Sequence, residues 1–102
     1  MDLNNKGNFW VENNSDDVIS VDVVQRIARK AIARQYTYYR KMKKMTQEEV
    51  AKRAGISRTN ITRFESGEYN PSLEMLVKIA IALELEVDIK LMERKNAEKN
   101  RS

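Results

Sequence analysis

Apolar residues recur at helical spacing through most of the chain and switch to strict alternation only near its end. From Asp22 to Lys44 there is no Gly or Pro, and Val24, Ile27, Ala28, Ala31, Ile32, Tyr39 and Met42 approximate the spacing of one apolar helix face. This predicts one long helix, or two joined near residues 36–38, where Thr37 and the tyrosines are poorer helix formers than the surrounding Arg, Ala and Lys. Thr46, with Glu49 three residues later, forms the T-x-x-E box that opens a second helix, and Gly55 ends it. Ser57 caps a third, short helix with Ile61 and Phe64 inward, and Gly67 supplies the left-handed residue that closes it. Ser72 caps a fourth, in which Leu73, Leu76, Val77, Ile79, Ala80 and Leu83 make an apolar face broad enough to demand burial.

The run Glu86, Val87, Asp88, Ile89, Lys90, Leu91 alternates with period two, the pattern of a half-buried strand. A lone strand leaves its ladder unpaired, so its partner is either the apolar island Phe9, Trp10 and Val11 or the same strand of a second subunit. That island sits in a stretch rich in Asn and acid, so residues 1–20 read as a flexible arm and residues 93–102 as a charged, frayed tail. The expected architecture is all-α: a bundle of four or five helices over residues 21–85, followed by a short C-terminal β-strand at 86–92 that is a candidate dimer contact. At 102 residues the chain has room for one such domain.

Charge sharpens the picture because of where it sits. Residues 1–22 carry a net charge of −4, residues 23–67 carry +9 and residues 68–102 carry −1. A positive field concentrated in the middle of the chain attracts polyanions, although runs of like charge on a helix are more often only a solvated face. Arg26, Arg29, Lys30, Arg34, Arg40, Lys41, Lys43 and Lys44 wind around their helix instead of keeping to one stripe. Cys and His are both absent, which excludes disulfides, thiol nucleophiles, imidazole acid–base chemistry and the usual zinc ligands. Glu48 and Glu49 are adjacent, point to different sides of a helix and make no acid–base pair. The expectation is therefore no enzyme, no catalytic residue, no cofactor and no metal. The longest apolar run, Ile79 to Leu83, is too short to span a bilayer and the N-terminus lacks a signal peptide's hydrophobic core. The chain reads as soluble and cytoplasmic, without a membrane partner.

Two short capped helices separated by Ala54, Gly55, Ile56 and Ser57 form a helix-turn-helix, in which the second helix presents its N-terminal side chains to a major groove. Ala51 is small where the two helices approach, and Val50, Ile56 and Ile61 fill the space beneath them. The run TQEEVAKRAGISRTNITRFESGEYNPSLEML resembles the phage-repressor, Cro and Xre family of helix-turn-helix proteins from Thr46 to Leu76, and more loosely in the helix ahead of it. The resemblance implies a lambda-repressor-like bundle that binds double-stranded DNA as a homodimer. It implies base contacts from Arg58, Thr59, Thr62 and Arg63, with the arginines suited to bidentate hydrogen bonds with guanine, each such pair giving about 1–3 kcal/mol of discrimination. It further implies phosphate contacts from Gln47, Asn60, Tyr69, Asn70 and Ser72, which position the protein without specifying sequence. Arg40 and Glu65 are implied to be a structural ion pair and stand outside the contact set.

The leading reading is a dimeric transcriptional regulator that represses by occupying promoter DNA. A second is the antitoxin of a toxin–antitoxin pair, since the chain also resembles the host-inhibition-of-growth antitoxins; its partner would be a small basic toxin, covered by the acidic arm with Trp10. A third, of a different class, is a protein-interaction module whose basic face is incidental. The segment before Ile32 exceeds the shortest repressors and is a candidate dimer contact, partner-binding helix or DNA-facing arm.

Overall fold

The structure, a computed structural model, describes residues 10–12 and 18–94. Among these are two short strands, β1 (Trp10–Glu12) and β2 (Val18–Ser20), and four helices: α1 (Val21–Met42), α2 (Gln47–Ala54), α3 (Arg58–Ser66) and α4 (Leu73–Ala82). One compact unit spans 23–87, and the described residues outside it, 10–12, 18–22 and 88–94, belong to another.

In the larger unit each helix boundary has a local cause. Thr46 Oγ1 accepts from the Glu49 amide at 3.0 Å while Glu49 Oε1 accepts from the Thr46 amide at 2.8 Å, so the capping box opens α2 as the sequence predicts. Ser57 and Ser72 cap α3 and α4 by accepting from the amides of Asn60 and Met75. Gly55 and Gly67 close α2 and α3 with φ of 71° and 80°. Two further left-handed residues, Lys44 after α1 and Glu84 after α4, are not glycines and were not legible as stops.

The core gathers around Val50 and Ala51 of α2, Ile61 and Phe64 of α3, and Met75, Ile79, Ala82 and Leu83 of α4 and its cap. Helix α1 is continuous through residues 36–38, where Tyr36 is held by the bundle. The Tyr36 ring meets Phe64 edge-on at 5.1 Å and its hydroxyl donates to the Leu76 carbonyl at 2.9 Å, outweighing the weak local propensity.

Two expectations about buried faces need correction. The residues expected to share one apolar face of α1 are not its buried side: Val24, Ile27, Tyr39 and Met42 are exposed, and Ala33 is the buried residue of that helix. On α4, Leu73, Val77 and Ile81 are likewise exposed, so that helix is buried on one side only.

The C-terminal β-strand expected at 86–92 is not formed within the chain; residues 85–94 carry no ladder to any other described residue. A strand requires a partner edge, and the apolar island that was one candidate is already engaged. Trp10, Val11 and Glu12 pair antiparallel with Ser20, Ile19 and Val18. Within the segment read as a flexible arm there is thus a two-stranded ladder, while residues 1–9 and 13–17 of that arm, and 95–102 of the tail, lie outside the described residues. Among the described residues no helix is long and apolar enough to cross a membrane.

Candidate nucleic-acid interface

Helix α3 is amphipathic over only nine residues. Ile61 and Phe64 are buried, and Asn60 and Glu65 are partly covered. What remains for solvent is Arg58, Thr59, Thr62, Arg63 and Ser66. All four residues expected to contact bases are therefore exposed on the same short helix, at the spacing that the 3.6-residue repeat requires. The acid of α3, Glu65, is turned inward with its side chain 10 % exposed. The outer surface of the helix is consequently cationic or neutral along its whole length.

A polar chain fixes this helix to the rest of the bundle. Arg40 donates from Nε and Nη2 to the two carboxylate oxygens of Glu65 at 2.7 and 3.0 Å, and from Nη1 to the Met45 carbonyl at 2.8 Å. The ion pair expected between Arg40 and Glu65 is thus present between α1 and α3, bidentate and largely covered, and the same guanidinium also ties down the loop before α2. Gln47 extends the chain: its Nε2 donates to Glu65 Oε1 at 3.0 Å, and its Oε1 accepts from the Thr62 hydroxyl at 3.0 Å. The sequence reading assigned Gln47 a phosphate and Thr62 a base but missed that the two are bonded to each other. Because an amide nitrogen carries two hydrogens, Gln47 keeps one donor beyond the bond to Glu65.

The other residues expected to touch phosphate fall on the opposite flank. Asn60, Tyr69 and Ser72 line a shallow pocket of about 200 Å³ together with Ile56, Met75 and the ion pair of Glu74 with Lys78. Asn70 is exposed beside them. The Ser72 oxygen accepts from the Met75 amide as a cap, leaving its hydroxyl hydrogen available. Gln47 is not brought into this group; it stands at the start of α2, beside Thr62.

Gly67 sets how closely α3 approaches α1. A Cβ there would lie 3.0 Å from Lys30 Cγ and 3.3 Å from its Cα, so any other residue requires Lys30 to give way. Lys30 continues over the turn to pair with Glu68 at 3.2 Å.

Comparison with known proteins bears on this geometry. An uncharacterized HTH-type transcriptional regulator of Methanocaldococcus jannaschii is 49 % identical over 43 residues, 42 % of this chain and 65 % of that protein. The cryptic phage CTXphi transcriptional repressor RstR of Vibrio cholerae is 49 % identical over 49 residues, 48 % of this chain and 44 % of its own length. The chain therefore spans less than two thirds of each of these relatives. Among solved structures, a chain of the HipA-HipB-O2-O3 complex superposes with a TM-score of 0.55 and 31 % identity, covering 66 % of this chain and 92 % of that one. The family model described as Helix-turn-helix matches residues 38–90, the stretch holding α2, α3 and α4, and the chain belongs to that family, in its Xre-like branch.

Proposed function

We propose that this protein is a sequence-specific regulator of transcription that places α3 in the major groove of double-stranded DNA and represses by occupying a promoter, with no chemistry of its own. The observation that carries the reading is the outer surface of α3: Arg58, Thr59, Thr62 and Arg63 exposed, Glu65 withdrawn and neutralised by Arg40. Arg58 and Arg63 are the donors for guanine, and Thr59 and the Thr62 methyl are sized for thymine methyls or base edges. Gln47 on one flank, and Asn60, Tyr69, Asn70 and Ser72 on the other, take the phosphates that border the groove. Gln47 is held in place by Thr62 and Glu65 and still has an N–H to give, so its phosphate contact costs little rotamer entropy.

The protein acts as a homodimer in this reading. Leu73, Val77 and Ile81, spaced by four, leave an exposed apolar stripe on α4, continuous with a groove of about 350 Å³ lined by Val77, Ala80, Ile81, Leu85, Glu86 and Val87. A two-fold contact there covers the stripe and sets two copies of α3 at a fixed separation, which calls for a palindromic site. The antitoxin reading stands second, favoured by the likeness to a chain of the HipA-HipB-O2-O3 complex.

Selection from random duplex DNA tests the reading. The expected result is enrichment of a two-fold symmetric sequence with G·C pairs in each half. Recovery of no common sequence would count against groove reading. Loss of the symmetric spacing in Ile81→Asp, with the half-site kept, would assign the α4 stripe to the dimer.

A further inference from the structure

Helix α1 carries a second apolar surface that neither the core nor the groove-reading face uses. Ala33, Tyr36 and Arg40 turn into the bundle. At 100° per residue, Val24, Ile27, Ala28, Ala31, Tyr38 and Met42 fall on the opposite side, a stripe about 27 Å long. It is open to solvent: Ile27 is 64 % exposed, Tyr38 59 % and Met42 56 %. The side chain at Ala31, near its middle, is small. A depression of about 450 Å³ is lined there by Ala31, Ile32, Arg34, Gln35 and Tyr38, and the Tyr38 ring is braced edge-on against Tyr39 at 5.3 Å.

The edges of the stripe differ in charge. Arg34 and Lys41 border one side, Gln35 and Tyr39 the other. Asp22, the one acid among the described residues of α1, falls by helical period on the side of the helix away from the stripe, and Glu68 is paired with Lys30 at 3.2 Å. An occupant carrying carboxylates along one edge therefore gains attraction without displacing an existing pair. A second copy of α1 gains none. Antiparallel pairing sets Arg34 and Lys41 against their own copies, and parallel pairing sets them against Gln35 and Tyr39. The open depression of about 450 Å³ favours a packed helix, whose side chains enter it, over a flat lipid surface, which the same cations would also attract and which vesicle binding distinguishes.

We propose that the outer stripe of α1 is a docking surface for an acidic amphipathic helix of a partner protein, seated with one large apolar side chain over Ala31 and its carboxylates along the Arg34 and Lys41 edge. The surface is separate from the DNA-reading residues, so DNA binding by the same variants reports folding independently of docking.

The probe is a pair of stapled synthetic helices of about five turns, both with Leu on one stripe, one flanked by Glu and its twin by Lys, titrated against the full chain by fluorescence anisotropy. The expected result is binding of the Glu helix, with the Lys twin weaker by about tenfold or more. Ile27→Ser and Ala31→Gln each weaken the Glu helix to a similar degree and leave the circular dichroism and DNA binding unchanged. Failure of the Glu helix to bind overturns the proposal, as does equal binding of the twins or indifference to Ile27→Ser. Uptake by anionic phospholipid vesicles that Ile27→Ser abolishes would assign the stripe to a lipid surface instead. A fall in sedimentation mass in Ile27→Ser would assign it to a second copy.

Discussion

Helix α1 and the pair α2 and α3 pack in the same bundle, yet they differ in how sequence maps to burial. In the pair, each helix has one apolar set, Val50 with Ala51 and Ile61 with Phe64, and each set is buried. In α1 there are two: the exposed set of Val24, Ile27, Tyr38 and Met42, and the covered side built from Ala33, Tyr36 and Arg40. Periodicity shows that a helix has an apolar face but not which neighbour covers it. Where caps and a tight turn fix two helices against each other, the inward side follows; where a helix outruns the elements it packs on, a second face persists.

The largest effect that sharpens this contrast is in the core. Phe64→Ala removes a ring that is 2 % exposed and meets Tyr36 edge-on, and is expected to lower the stability by about 3–5 kcal/mol in urea denaturation. Ile27→Ala deletes as visible an apolar residue from the sequence pattern, yet is expected to stay within about 0.5 kcal/mol. Comparable losses in the two variants would break the distinction between the faces.

The next effect concerns the joint between the regions. Arg40→Met leaves the Glu65 carboxylate covered with only Gln47 as a donor and strips the Met45 carbonyl of its partner, at a cost of roughly 2–3 kcal/mol. Combining it with Glu65→Leu is expected to cost less than the sum of the single changes, because the second removes the stranded charge. Strict additivity of thermal-denaturation free energies would argue that the pair does not couple α1 to α3.

The two glycines offer a finer comparison. Gly55 and Gly67 share a left-handed backbone, but a Cβ at Gly55 meets nothing within 4 Å. Gly55→Ala is expected to cost about 1 kcal/mol for the backbone alone, and Gly67→Ala more, because Lys30 must also give way. Equal midpoints in denaturant would show that the close approach of α3 to α1 is soft.

The smallest effect is one of pH. Burial raises the Tyr36 phenol above its ordinary value near 10. Above that value the unfolded chain releases this proton while the folded chain keeps it, so the associated stability is present below about pH 10 and is lost as pH rises through the raised folded value. Tyr36→Phe is expected to flatten that alkaline decline in a pH series of melting curves.

Much of the fold was legible for reasons that are local. The caps at Thr46, Ser57 and Ser72 and the stops at Gly55 and Gly67 are side-chain and backbone preferences acting within a few residues, and the structure forms each of them. What was not legible depends on partners distant in sequence. The alternation at Glu86 to Leu91 is a pattern that a strand requires but that cannot supply the second edge, and Trp10 to Glu12 pairs with Val18 to Ser20 instead. Of the candidate site, the outward placement of Arg58, Thr59, Thr62 and Arg63 followed from helical period once Ile61 and Phe64 were taken as inward. The bonds from Thr62 to Gln47 and from Gln47 to Glu65 join residues 15 and 18 positions apart, beyond the reach of any periodic reading.

The central claim is that the outer side of α3 reads bases while its flanks hold phosphate. The most direct test is the ratio of specific to random-duplex affinity, measured by fluorescence anisotropy across a salt series for wild type, Arg63→Ala and Gln47→Ala on a selected site. The account predicts that Arg63→Ala loses specific affinity by about 1–3 kcal/mol with little change on random duplex, while Gln47→Ala weakens both together. A wild type that binds both duplexes alike, or an Arg63→Ala variant that keeps the full ratio, would contradict it.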